Sequence, residues 1–356
     1  MDEALDLSEL RDAVRGALND RALTIPGEEG RPVDRQLWTD MAALGWLGLG
    51  ISAGHGGLGQ RFAHLAVLHE ELGRKTASVP ALSTFTAAGL IAAHGSAALQ
   101  QRVLPAIAAG EMTAAIADPL RASFEVKAKR VSGGAEDVLF AADVDLVLVP
   151  IDAGFVALSA TDGGVTVANQ SIVDLTRRMG RLRLESVNFD KDALIALGAT
   201  ERAAFEDELA VAVACDAIGG AQAIFERTVD YLGIREQFGR PIGSFQALKH
   251  RAAHWKVQLE AAAALVRQAA LALSVKEPAS ALASSAKFYA CDLYAAVAED
   301  AIQLHGGIGF TWEHPCHLYL KRAKLNQVLF GSSSAHKERI ARLAFTQTAT
   351  PKSGAE

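Results

Sequence analysis

Apolar residues recur three and four positions apart through the segments LSELRDAVRGAL, RQLWTDMAALGWLG, RFAHLAVLHEELGR, ALSTFTAAGLIAAHG and AALQQRVLPAIAAGE. That spacing places them on one face of a helix and predicts an all-α domain over residues 1–111. From 112 to 198 the pattern shortens to β-branched runs, DVLFAADVDLVLVPID, GFVALSA, GGVTVAN and LESVNFD, separated by Gly-Gly and Asp-Gly turn signals. These predict a small sheet or barrel. Helical periodicity returns over 199–348, broken only at REQFGRPIGSFQ, near VKEPAS and at HGGIGFTWEHP, as in a four-helix bundle. A disordered tail is expected over 349–356. The fold class is therefore mainly α with a central β domain.

Composition narrows the function classes. A chain of 356 residues with 50% apolar content can bury several domain cores. Its net charge of -6, from 35 basic and 41 acidic residues, includes no basic block and argues against a nucleic-acid partner. The first residues, MDEALDLSELRDAV, are acidic and amphipathic where a secretory leader carries positive charge and then an apolar run. No uninterrupted apolar stretch approaches membrane-spanning length, so a cytoplasmic protein without membrane contact is expected. Cys215, Cys291 and Cys316 lie far apart and read as buried thiols. His305, His314 and His317 gather loosely around Glu313, but their spacing is not a zinc motif, and no metal site is expected. GHGGLG at 54–59, followed by Glu70 and Glu71, has the spacing of a dinucleotide fingerprint. Its flanks are helical on both sides, so it reads as a glycine turn between helices.

The bundle opens on RxxFGxxIxxFQ and later carries QLHGGIGFTWEHP; with LGWLGLGISAGHGGLG and QQRVLPAIAAGE in the first domain, the whole chain resembles the acyl-CoA dehydrogenase family. The resemblance implies FAD, a base that removes the α-proton of an acyl thioester, and transfer of the β-hydride to the flavin. It assigns Arg235, Phe238, Gly239 and Gln246 to one cofactor segment. A guanidinium fork matches pyrophosphate oxygens, a phenyl face suits an adenine or ribose, glycine admits close backbone approach, and an amide serves a hydroxyl or phosphate. Gln303, Gly306 and Gly307 resemble the second segment, which in the family meets the FAD of a neighbouring subunit.

The chain departs from the family where chemistry is concentrated. Phe330 stands where a C-terminal YEGTSEIQ-like segment carries the carboxylate base, and a phenyl ring accepts no proton. The alternative base position on the first bundle helix falls on Leu209, with Ala210 in place of the arginine that follows. Glu208 is one residue away, a rotation of about 100° that turns it aside. Asp207 matches a substrate-contacting aspartate, although a charge near the helix N-terminus is the simpler reading. AIADPLRASFEVKAKRV replaces the family's TEPxAGSD loop and DVLFAADVDLVLV its WIT strand. This combination resembles the base-lacking subunit of α2β2 steroid side-chain acyl-CoA dehydrogenases. It implies a catalytic partner subunit that holds the acyl-CoA and the flavin ring. A self-sufficient homomer using Glu208 or a nearby acid such as Glu206, and a scaffold that has lost flavin, are the alternatives.

Overall fold

The computed structural model describes residues 6–348 except 20, 22, 24–26, 28 and 29; the expected tail at 349–356 lies outside them. Helices α1 (Leu7–Asn19), α2 (Arg35–Ala43), α3 (Phe62–Arg74), α4 (Ala81–His94) and α5 (Ala97–Ala108) come first. Asp34 accepts from Leu37 N–H and Ser96 from Leu99 N–H, so α2 and α5 each start on a side-chain cap. The GHGGLG segment is a turn between α2 and α3, and a Cβ on Gly57 would overlap the carbonyl oxygens of Ile51 and Gly48. Glu70 and Glu71 serve structure there: Arg11 meets Glu70 at 2.6 Å and Arg15 meets Glu71 at 2.7 Å.

The strands between α5 and the bundle form two four-stranded sheets. One has the order β1 (Ala114–Ile116), β4 (Leu146–Ile151), β5 (Gly154–Ser159) and β8 (Leu194–Ala196), with β1 parallel to β4. The other runs β2 (Ala122–Lys127), β3 (Arg130–Leu139), β7 (Met179–Asn188) and β6 (Val165–Gln170), antiparallel throughout. The pattern at 133–134 marks a turn, yet Gly133 and Gly134 lie inside β3 beside a register shift. A Cβ on Gly133 would overlap the Ser123 carbonyl oxygen, so these glycines let β2 approach β3.

The remaining helices are α6 (Ala199–Ile234), α7 (Gln246–Ser274), α8 (Ser280–His305), α9 (Cys316–Val328) and α10 (Ser333–Thr348). Helix α6 is long and apolar enough to cross a membrane by length and composition, although Asp216 interrupts its apolar run. In the fold 83% of that apolar window is buried, because α3, α7 and α8 pack around it. It is a core helix, apolar on all sides for that reason. Buried residues of α4, α5, both sheets, α6, α7 and α8 form one continuous core.

One buried polar network joins these parts. Asp216 on α6 receives Arg322 from α9 and Arg177 from the β domain, at 2.6 and 3.1 Å, and Asn326 donates to it at 2.7 Å. Arg322 also donates to the carbonyl of Ala77 and to the Thr176 hydroxyl, so residues of all three regions share one set of bonds.

Candidate functional site

Where the β domain meets the bundle, Phe330 and Leu209 line the same cavity, together with Asp118, Leu120, Glu206, His336 and Arg339. The two positions at which the family resemblance locates a base therefore face one space, and both are apolar. The cavity holds about 140 Å³, well below the roughly 300–1,000 Å³ of ordinary ligand pockets. Three side chains fix the turn that carries Phe330, whose φ is 50°. Buried Lys287 donates to the carbonyls of Asn326 at 2.7 Å and Gly331 at 3.3 Å. His336 Nε2 donates to the Phe330 carbonyl at 3.2 Å, and burial lowers its ring to about pH 4, so it stays neutral. Asp118 accepts from the backbone of Leu120 and Phe330, and burial raises its carboxyl above the usual range.

The acids on α6 take different directions. Glu206 borders the cavity, with burial pushing its carboxyl up and Arg339 pulling it back. Glu208 points to α4: its Oε2 lies 3.5 Å from where a Cβ would stand on Gly89. Burial, reinforced by the charge of Asp207, pushes Glu208 up to about 7. Asp207 is two turns inside α6 rather than at its N-terminus, and it is buried. Arg339 and Ser280 donate to its two oxygens, each at 2.6 Å. Sequence spacing offers no signal for Asp118 or His336, since each reaches the cavity only through tertiary packing.

The first cofactor segment is a hairpin between α6 and α7, formed by β9 (Glu236–Gln237) and β10 (Arg240–Pro241). Its two central residues, Phe238 and Gly239, have φ of 53° and 75°, the signature of a type I′ turn. Asn and Gly favour that turn, whereas a phenylalanine in the left-handed region is costly. The Phe238 ring is nevertheless 92% exposed. Arg235 is exposed and makes no ion pair among the described residues, and Gln246 stands exposed at the N-terminal end of α7. Gln303, Gly306 and Gly307 are exposed at the far end of α8. Tyr231 stacks on His305 at 4.4 Å, which brings the ends of α6 and α8 together. A surface cation, an open aromatic face and a helix N-terminus suit a pyrophosphate and its attached nucleoside. The flavin-ring side fits poorly, because Val138, Leu139, Phe140 and Ala141, in the segment that replaces the WIT strand, are all buried in the core.

The turn after α8 gathers two histidines and a cysteine. Ligand atoms of His305, His314 and Cys316 lie within 4.8 Å of one another, and His317 is not in that group. Cys215, Cys291 and Cys316 are all free and buried.

A helical domain and a long-helix bundle joined through two small sheets is the architecture of a flavin-linked acyl thioester dehydrogenase. The chain belongs to the acyl-CoA dehydrogenase family: residues 5–111 match its N-terminal domain and 205–345 its C-terminal domain. Acyl-CoA dehydrogenase IpdE2 of Mycobacterium tuberculosis is 33% identical over 296 residues, covering 82% of this chain and 81% of that protein. Among solved structures, the ChsE4-ChsE5 complex of Mycobacterium tuberculosis superposes with a TM-score of 0.87 at 25% identity, covering 99% of this chain and 100% of that one. The Tcur3481-Tcur3483 steroid ACAD gives 0.86 at 28% identity, covering 97% and 99%.

Proposed function

We propose that this chain is the base-lacking subunit of a heteromeric, FAD-dependent acyl-CoA dehydrogenase and supplies half of a cofactor site to a catalytic partner. Phe238 carries the reading. A bulky ring in the left-handed region, 92% exposed, satisfies neither the turn nor the core of its own chain, and backbone strain of that kind is kept where a ligand or partner uses it. Arg235, Phe238, Gly239 and Gln246 would hold the diphosphate and nucleoside, with Gln303, Gly306 and Gly307 bordering the same group. When bound, FAD supplies the acceptor for the hydride that leaves the acyl β-carbon.

The proton side belongs to the partner. Abstraction of an α-proton needs a base within hydrogen-bond reach of it, and the two positions where the resemblance seeks one are Phe330 and Leu209. Asp207 is committed to Arg339 and Ser280. The 140 Å³ cavity around Phe330 has little room for an acyl chain, so the acyl-CoA is assigned mainly to the partner's site. The similarity to a steroid acyl-CoA dehydrogenase and to the ChsE4-ChsE5 complex supports a steroid-derived acyl-CoA and a heteromeric particle; we take these as a side-chain thioester and an α2β2 assembly in the cytoplasm.

The test is co-expression with a catalytic acyl-CoA dehydrogenase subunit, with native mass and flavin absorbance measured on one sample. Two copies of each chain and one flavin per heterodimer are expected. A homotetramer with four flavins that reduces an acceptor with acyl-CoA would overturn the reading. One observation favours that second case: Glu206 borders the cavity with a raised carboxyl. Loss of turnover in Glu206→Gln of such a homotetramer would assign the base. A colourless complex would point to the flavin-free scaffold.

A further inference from the structure

We propose that His305, His314 and Cys316 bind one zinc-class transition-metal ion at the junction of α8 and α9, independently of the flavin reading. His305 ends α8, Cys316 begins α9, and the chain reverses between them from Gly306, whose φ is 63°. That reversal brings one ligand atom from each residue to within 4.8 Å of the others. Zinc bonds of about 2.0–2.1 Å to nitrogen and 2.3 Å to sulfur put the ligand atoms of a tetrahedral site about 3.3–3.8 Å apart. Closing the cluster therefore takes side-chain adjustments of about an ångström.

The surroundings already orient the ligands. His305 Nδ1, the ring nitrogen that faces Cys316 Sγ, donates to the Ala301 carbonyl at 2.7 Å, a bond that ligation through Nδ1 exchanges for the metal as the ring proton moves to Nε2. The Tyr231 ring stacks on the imidazole and its hydroxyl donates to the His305 carbonyl. Cys316 Sγ lies 3.5 Å from His305 Nδ1, whose proton is already directed to Ala301, so the thiol gains no strong bond from the protein alone. The Cys316 backbone N–H donates to His314 Nδ1 at 3.4 Å, which turns that nitrogen's lone pair toward the start of α9.

Two imidazoles and one sulfur suit a borderline-soft ion, while calcium and magnesium prefer oxygen ligands. On binding, the metal–sulfur bond replaces the Cys316 S–H bond and the proton goes to water. Burial opposes this step, and the nearby Arg227 cation on α6 favours the thiolate. Half-buried His314 leaves one side of the ion open to solvent, as in a three-ligand zinc site.

Cobalt(II) is the probe, added to the reduced full-length chain, or to its complex if that is the form isolated. A thiolate-to-cobalt charge-transfer band in the near-ultraviolet should appear in the difference spectrum, saturate at one ion per chain and disappear when zinc is added. Cys316→Ala should abolish it, and His314→Ala should weaken binding about tenfold or more. Should Cys316→Ala fail to fold, His314→Ala decides alone, since that residue is only half-buried. Absence of a band in the wild-type protein at millimolar cobalt overturns the proposal. So does a band of equal strength in Cys316→Ala, which would place the sulfur at Cys215 or Cys291, or an undiminished affinity in His314→Ala.

Discussion

Arg322 donates to both carboxylate oxygens of Asp216, at 2.6 and 3.2 Å, in the interior where the helical domain, the β domain and the bundle converge. Burial opposes ionisation of Asp216, but the Arg177 and Arg322 guanidiniums outweigh it and hold the carboxyl well below the usual range. Removing the anion leaves two guanidiniums without their counter-charge. Asp216→Ala should therefore cost about 3–5 kcal/mol, read as a lower midpoint in denaturant. Because the folded pKa is depressed, the contribution is present above the unfolded value of about 3.9 and fades as pH falls through the folded one. The variant's stability should accordingly change less between pH 5 and pH 2 than the wild type's.

Much of this architecture is legible in the sequence, for identifiable reasons. Helices α6 to α8 are long, and their apolar spacing outlasts local exceptions. Strand β2 and the first half of β3 are not legible: ASFEVK alternates weakly, and Gly133 and Gly134 look like a turn although they serve close strand contact. The cavity is half legible. Phe330 and Leu209 come from family spacing, whereas Asp118 and His336 reach it from distant segments. The His305, His314 and Cys316 group is hidden for the same reason, since its spacing matches no ligand motif and only the reversal after α8 assembles it.

Arg235 is exposed, so its loss should leave the fold unchanged. In the assembled complex, Arg235→Ala should weaken flavin retention by roughly 10- to 100-fold, the worth of a charge-assisted bond of about 1.5–3 kcal/mol. Flavin absorbance per chain after dialysis, with a thermal melt on the same sample, separates cofactor loss from unfolding. Unchanged flavin content would remove Arg235 from the site.

Ile234 at the end of α6 and Phe310 in the turn after α8 are each 77% exposed, and Phe238 and Trp312, in the turns that follow the two helices joined by the Tyr231–His305 stack, are exposed as well. Such a set of exposed apolar side chains marks a surface that another chain covers. Phe310→Asp should block assembly with the catalytic partner while leaving the melting temperature of this chain within about 2 °C, as for an exposed substitution. Size-exclusion chromatography of the co-expressed pair reads the outcome, and an intact complex would move the interface elsewhere.

Glu208 offers a test in which stability and activity should separate. Its carboxyl is pushed up to about 7, first by burial and then by the charge of Asp207. A raised acid makes the folded chain hold a proton that the unfolded chain has released above about pH 4.3. Stability from this group is thus full below that pH, declines as pH rises toward 7, and stays lowered beyond it. Glu208→Gln removes the penalty and should stabilise the protein by roughly 1–3 kcal/mol at pH 8, with no difference at pH 4. Turnover of the assembled enzyme should remain nearly intact, because this side chain faces α4 and not the cavity. Denaturant melts at both pH values test the first half, and acyl-CoA-dependent dye reduction by the purified complex tests the second. A loss of turnover by several orders of magnitude, with flavin still bound, would return the base to α6 and remove the reason for assigning it to a partner.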